Sequence, residues 1–315
     1  MADIRFNINF KFLMKVIVSA GLLAWILSRI PLGSLALSLA KCQWTSLILS
    51  FVTVNFCMLV SALKWRPLLT VYGIQIPFAR LLSFYYAGLF ANNFLPSSIG
   101  GDTLRIYKVA RVSGKIKEAA ASVVMERLLA SLALALTAAA ALGLVSKLGG
   151  DSFICWVVGG IVAACLAVMG ILFYYPFKEN SKAGRWLCRL GEYREHPHIL
   201  GKVLLLSFLF QGLLVLANVF AFQSVGANIP LLKHFLYIPV IMAVSMLPLS
   251  INGLGIREGM YVTLYSYAGI DPATAVLCSL LFFTLVTVTS LAGGVILTLG
   301  SIREALERNR HAGYL

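Results

Sequence analysis

The chain has 315 residues, of which 60% are hydrophobic and 12% charged, with a mean hydropathy of +0.89; a water-soluble globule carries about twice that charged fraction. This composition excludes an ordinary soluble domain and identifies an integral membrane protein. The formal charge of +14 comes from 26 Lys and Arg against 12 Asp and Glu. Those cations lie in short stretches between long apolar runs, so they report orientation in a bilayer and not a nucleic-acid face.

In chain order, Arg5, Lys11 and Lys15 accompany an apolar run that resembles a signal peptide without a small-residue cleavage site, so it reads as a retained first helix. A helix needs about 20 apolar residues to cross the hydrocarbon core. Six spans meet that length: roughly 12–30, 44–63, 118–142, 154–174, 203–224 and 273–299. Two further apolar stretches, 78–101 and 235–255, break near their ends into Pro, Ser, Asn and Gly. The first ends Leu95-Pro96-Ser97-Ser98-Ile99-Gly100-Gly101-Asp102, and the second Leu247-Pro248-Leu249-Ser250-Ile251-Asn252-Gly253-Leu254-Gly255.

Broken backbone cannot face lipid, because each unpaired N–H or C=O there costs roughly 2–7 kcal/mol. Each stretch is therefore predicted to be a re-entrant helical hairpin, with returning helices over about 103–112 and 256–270. Lys and Arg then fall mostly on one side, Lys64 and the 105–117 and 178–202 clusters among them, which places both termini in the cytoplasm. The segment 178–199, with Trp186, Leu187, Leu190 and Tyr193 among arginines, reads as an amphipathic helix on that inner interface. Six scattered cysteines without a CxxC pair, and four histidines without metal spacing, imply no metal and no cofactor.

The two breaks align at an offset of 152 residues, matching Leu95 with Leu247, Pro96 with Pro248, Ser98 with Ser250, Gly101 with Gly253 and Arg105 with Arg257. The spans follow the same offset, dividing one membrane domain, 1–315, into repeats at 1–150 and 151–315. Three crossings per repeat is an odd number, so the second repeat is inverted relative to the first. The fold class is thus an all-α polytopic membrane protein with six spanning helices, two opposed re-entrant hairpins and an inverted internal repeat.

Arg105 and Arg257 each occupy the first turn of a helix, where the dipole disfavours a cation, so they point to anion binding or to an ion pair with Asp102 or Glu258. Asp102 also reads as an N-cap, and Glu258 as a first-turn acid that suits the dipole. Ser98, Ser250, Asn92, Asn93 and Asn252 supply hydrogen bonds to a polar pocket or to the broken backbone. Glu126 and Arg127, deep in the third span, must face protein or water, and Glu126 is placed to pair with a hairpin arginine. Pro96, Gly100, Gly101, Pro248, Gly253 and Gly255 carry the hairpin motif itself.

The Leu95-Pro96, Gly100-Gly101-Asp102 and Arg105 motif, the Glu126-Arg127 pair, and Leu247-Pro248 with Asn252-Gly253-Leu254-Gly255 and Arg257-Glu258 resemble the lysylphosphatidylglycerol synthase/flippase membrane-domain family. The resemblance implies a lipid flippase or scramblase and not an enzyme. It holds no soluble aminoacyl-transfer domain, so lysyl transfer is not implied. The expected partners are anionic or phosphate-bearing membrane lipids, a second copy or a lipid-modifying enzyme, with no nucleic acid, in the plasma membrane. No Walker A sequence is present, so movement is downhill or ion-coupled, gated by rocking of one repeat against the other. The alternatives are an intramembrane enzyme acting on a lipid-linked phosphate or sugar, and an anchor subunit for a synthase or glycosyltransferase.

Overall fold

A computed structural model describes residues 42–94, 100–145, 152–174, 182–247, 250 and 252–312, together with Gly21 and Ser28. The predicted first span and the tip residues Pro96, Ser98 and Pro248 lie outside the described residues. Ten α-helices and one short 3-10 turn make up the described fold, with no strand among them. The helices are α1 (Trp44–Val71), α2 (Phe78–Phe94), α3 (Gly100–Ser113), α4 (Ile116–Val145) and α5 (Ser152–Tyr174). They continue with α6 (Lys182–Gly191), α7 (Pro197–Ser224), α8 (Leu231–Ser245), α9 (Ile256–Ser266) and α10 (Pro272–Ala312). Five of them, α1, α4, α5, α7 and α10, contain an apolar stretch long enough to cross a membrane.

α1 and α7 form the spine of the fold, and they run antiparallel. Gln43 N–H bonds Ser224 O at 2.7 Å at one end, and Ser50 Oγ bonds Ala217 O at 2.7 Å further along. At the other end the Tyr193 hydroxyl, in the 3-10 turn Glu192–Glu195, donates to Leu68 O at 3.0 Å. Around this spine the contacts of the short helices in the first half have counterparts in the second. α2 packs on α10 and α8 on α4, while α3 packs on α2 and α4, and α9 on α8 and α10. Two cores result: Trp65, Leu68, Leu81, Met125 and Tyr193 fill one, and Phe222, Ile238, Ile241, Tyr261 and Tyr265 the other.

α2 and α3 fold back on each other as an antiparallel pair. The Asn92 carboxamide oxygen accepts from Gly101 N–H at 2.8 Å near the turn, and Lys108 Nζ sits 5.7 Å from the Phe84 ring nearer the open end. Lys115 Nζ then reaches Tyr72 O at 2.8 Å, so the chain enters and leaves the pair at the same end. At 1.5 Å per residue the two helices measure about 25 and 21 Å, less than a hydrocarbon core of about 30 Å. α8 and α9 repeat the arrangement: His234 Nδ1 lies 2.7 Å from the Tyr265 hydroxyl near the open end, and Gly253 packs on Ser245 at the turn.

Glycine is required where helices touch backbone to backbone. A Cβ on Gly101 would overlap Gly88 O and come within 2.6 Å of Asn92 Cγ, and one on Gly293 would overlap the Tyr86 carbonyl. α10 begins behind Asp271, whose carboxylate accepts from Thr274 N–H at 2.9 Å. Burial raises that carboxyl, but the hydrogen bonds from Thr274 and neighbouring amides outweigh it and hold it below its usual range.

Several sequence expectations are corrected here. α1 does not stop at 63 but runs to Val71, so Lys64 is a buried helical residue and not an inner-face loop cation. Gly100 and Gly101 belong to the first turn of α3 and not to the break, and Asp102 lies inside that turn in place of capping it. The segment around 178–199 is a ten-residue helix, a 3-10 turn and the start of α7. Leu190 and Tyr193 turn into the protein core, with Trp186 and Leu187 packed against it, so the apolar face of this segment is covered by protein.

Candidate functional site

The first half holds a network of five charges, with Lys64, Arg105 and Glu126 buried, Asp102 half-buried and Arg127 exposed. Glu126, on α4, accepts from Arg105 NH1 at 3.1 Å, lies 3.3 Å from Lys64 Nζ and accepts from the Tyr85 hydroxyl. Arg105, on α3, also binds Asp102 at 2.5 Å, and its guanidinium lies 4.2 Å from the Tyr85 ring and 4.9 Å from Trp65. Arg127 grips the same Asp102 with Nε at 3.0 Å and NH2 at 3.1 Å. Four elements thus supply one network: Lys64 from α1, Tyr85 from α2, Asp102 and Arg105 from α3, Glu126 and Arg127 from α4. Charges at such depth persist only when they are paired and hydrogen-bonded. Three cations against two carboxylates leave one positive charge unbalanced.

The second half is leaner and neutral. Arg257 binds its neighbour Glu258 through NH2 at 2.7 Å and Nε at 3.1 Å, and Ser279 Oγ bridges both at 3.2 and 3.0 Å. The other oxygen of Glu258 accepts from Gly255 N–H at 2.6 Å, so this acid caps α9 and pairs with an arginine at once. Gly255, with φ of 82°, and Gly253, with φ of 73°, supply the left-handed backbone that the turn requires. The Arg257 guanidinium rests 4.6 Å from the Phe283 ring.

The turn of the second pair touches the end of α2. Asn252, held at φ of 51°, donates from Nδ2 to Asn92 O at 2.8 Å and to Asn93 Oδ1 at 3.2 Å. Beside this contact opens a cleft of about 600 Å³ bordered by Asn93, Asp102, Arg127, Ser250 and Arg257, with Phe282, Phe283, Met246 and Leu247 on its apolar side. A second cavity of about 310 Å³ shares Asn92, Asp102 and Arg127 with it and is bordered by Lys64, Arg105, Glu126 and Gln211.

Of the residues singled out from sequence, Asp102, Arg105, Glu126 and Arg127 form one network and Arg257 and Glu258 another, while Ser250, Asn252 and Asn93 join them at the cleft. Ser98 lies outside the described residues. Lys64, Tyr85, Trp65 and Ser279 escape a reading of sequence. Only Lys64 leaves a signal, a cation continuing the helical register of an apolar run up to Pro67, four residues before the helix ends. Among the described residues no group of His, Cys, Asp and Glu is placed to hold a metal ion.

Comparison with known proteins adds to this picture. Two curated relatives carry the description "UPF0104 membrane protein". That of Pyrococcus horikoshii, named PH1989, is 23% identical over 272 residues, covering 75% of this chain and 81% of its own length. That of Methanothermobacter thermautotrophicus is 24% identical over 260 residues, covering 71% and 74%. Residues 12–294 match the family described as lysylphosphatidylglycerol synthase TM region, a match that takes in both short helical pairs, both arginine networks and the first half of α10. With its five long apolar helices and this match over most of its length, the chain is a multi-pass membrane protein belonging to the lysylphosphatidylglycerol synthase transmembrane-region family.

Proposed function

We propose that the protein moves an anionic phospholipid or a polyprenyl-phosphate-linked lipid between the two leaflets, as a flippase or scramblase. One observation carries this reading: two short helical pairs from opposite halves of the chain meet, the end of α2 against the turn before α9, at a polar cleft bearing Arg127 and Arg257. A charged head group faces a barrier of several kcal/mol or more in hydrocarbon. A polar passage with apolar side walls removes much of it, because the head travels among hydrogen-bonding groups while the acyl chains stay in lipid. Met246 and Leu247, both exposed at the rim, provide such a wall.

The antiparallel run of α1 and α7, which occupy equivalent positions in the two halves, supports an inverted repeat. The short lengths of α2, α3, α8 and α9, with both ends of each pair on one side, support re-entrant hairpins entering from opposite faces. Both termini are then cytoplasmic, by the distribution of Lys and Arg. In this function Arg127 and Arg257 meet the head group, while Arg105 holds Asp102 and Glu126 in place. Transport without chemistry makes the protein no enzyme.

Purified protein in phosphatidylcholine vesicles, loaded with a fluorescent anionic phospholipid and quenched from outside, tests the proposal. Transport is expected to expose the inner-leaflet pool to quencher, leaving the lipid chemically unchanged. A new lipid product in place of transport supports the intramembrane enzyme, and inertness until a synthase or glycosyltransferase is added supports the anchor subunit; either result defeats transport by this chain alone.

A further inference from the structure

We infer that the cleft where the end of α2 meets the turn before α9 takes a lipid-borne phosphodiester with a single negative charge, gripped by Arg127 and Arg257 with Ser250 and Asn93 as neutral donors. This deepens the transport function proposed above by naming its substrate class. Ser250 is 3% exposed and borders the cleft, yet its hydroxyl has no hydrogen-bond partner among the described residues. Asn93 Nδ2, at the same cleft, also lacks an acceptor. Two unused donors beside two guanidinium groups call for a ligand rich in acceptors, and phosphate oxygens are acceptors only.

Charge fixes which phosphate. Lys64, Arg105 and Arg127 against Asp102 and Glu126 leave one positive charge, and Arg257 with Glu258 adds none. One negative charge on the ligand balances the site, whereas a dianion leaves an uncompensated charge among apolar walls, where such a charge is costly. Arg127 already displays the grip required. Its side chain is 48% exposed and holds the Asp102 carboxylate through two nitrogens, the fork geometry that phosphate oxygens also accept. Met246 and Leu247 extend the polar cleft with exposed apolar surface, which favours a ligand that brings its own hydrocarbon.

Full-length protein in phosphatidylcholine vesicles at about pH 8 is given trace fluorescent phosphatidylglycerol, a phosphodiester with one charge, or fluorescent phosphatidic acid, a monoester near two charges at that pH, since the second phosphate pKa is about 6. The diester is expected to cross about tenfold faster, corresponding to about 1.4 kcal/mol in barrier. Asp102→Asn, which raises the balance to two positive charges, is expected to reverse that order, and Arg127→Gln to slow the diester most. Equal crossing of both lipids by the unaltered protein overturns the charge match and leaves transport standing, a comparison that needs no variant to fold. Failure of every lipid to cross overturns the transport function itself. Thermal stabilisation of the detergent-solubilised protein by free glycerophosphoglycerol, with none from phosphatidylglycerol, overturns assignment to a lipid.

Discussion

Glu126→Gln removes a buried carboxylate that balances two cations at once. Lys64 loses its counter-charge at 3.3 Å, and Arg105 loses one of two partners, at 3.1 Å, keeping Asp102 at 2.5 Å. Within the network the balance rises from one positive charge to two, with Lys64 stranded at 4% exposure. Breaking a buried pair from one side costs about 3–5 kcal/mol, because the surviving charge stays desolvated. The amide still accepts from the Tyr85 hydroxyl, so the loss is electrostatic and not steric. Denaturant titration of the protein in mixed micelles, followed by tryptophan fluorescence, should show that loss. Lys64→Met combined with Glu126→Gln should recover most of it, since removing both partners leaves no orphan on that side. A single variant as stable as the unaltered protein, or a double variant no better than the single one, refutes the coupling of Lys64 to Glu126.

Gly101→Ala and Gly293→Ala should each destabilise by about 1–3 kcal/mol or more through backbone overlap, while Gly143→Ala, with open space at its Cβ, should be neutral in the same titration. Asn252→Ala should slow transport, because it removes the bonds to Asn92 and Asn93 and strains the positive φ; Asn252→Gly, which relieves the strain only, separates the two effects. Asp271→Asn, which keeps a capping side chain but removes its charge, should lower the melting temperature at neutral pH, an anion at a helix N-terminus being worth about 0.3–1 kcal/mol. Since the folded state holds that carboxyl below its usual range, its stabilising charge is present above the ordinary carboxylate pKa and is lost as pH falls through the folded value. The difference between the variant and the unaltered protein should therefore shrink in acid.

Much of the architecture was legible in the chain because bilayer crossing imposes a length and forbids unsatisfied backbone. Five of the expected spans coincide with long helices, and both Pro/Gly breaks fall between short ones. The two breaks also revealed which polar residues gather at the cleft, for Asn252 and Ser250 belong to a turn and Asn93 to the helix leading into one. What escaped was tertiary. Nothing local tells which carboxylate balances Lys64, because its partner Glu126 is 62 positions later and reaches it only after α1 and α4 pack. The arginine partner of Glu126 was legible by contrast, since a deep carboxylate needs a cation and the hairpin holds one close by. Asp102 reads both as a cap and as a partner of Arg105; the pairing is present, and the cap is not, because α3 begins at Gly100 and takes Asp102 into its first turn.

The way the halves hold each other constrains how any passage opens. α2 leans on α10 and α8 leans on α4, so each short pair is braced by the last long helix of the opposite half. Gly293 meets the Tyr86 backbone with no room for even a methyl group between them. Two lobes interlaced in this way cannot swing apart as rigid bodies without prising open those seams. Each short pair is tied to a long helix across the molecule, so a displacement of either one is felt at once in the other half.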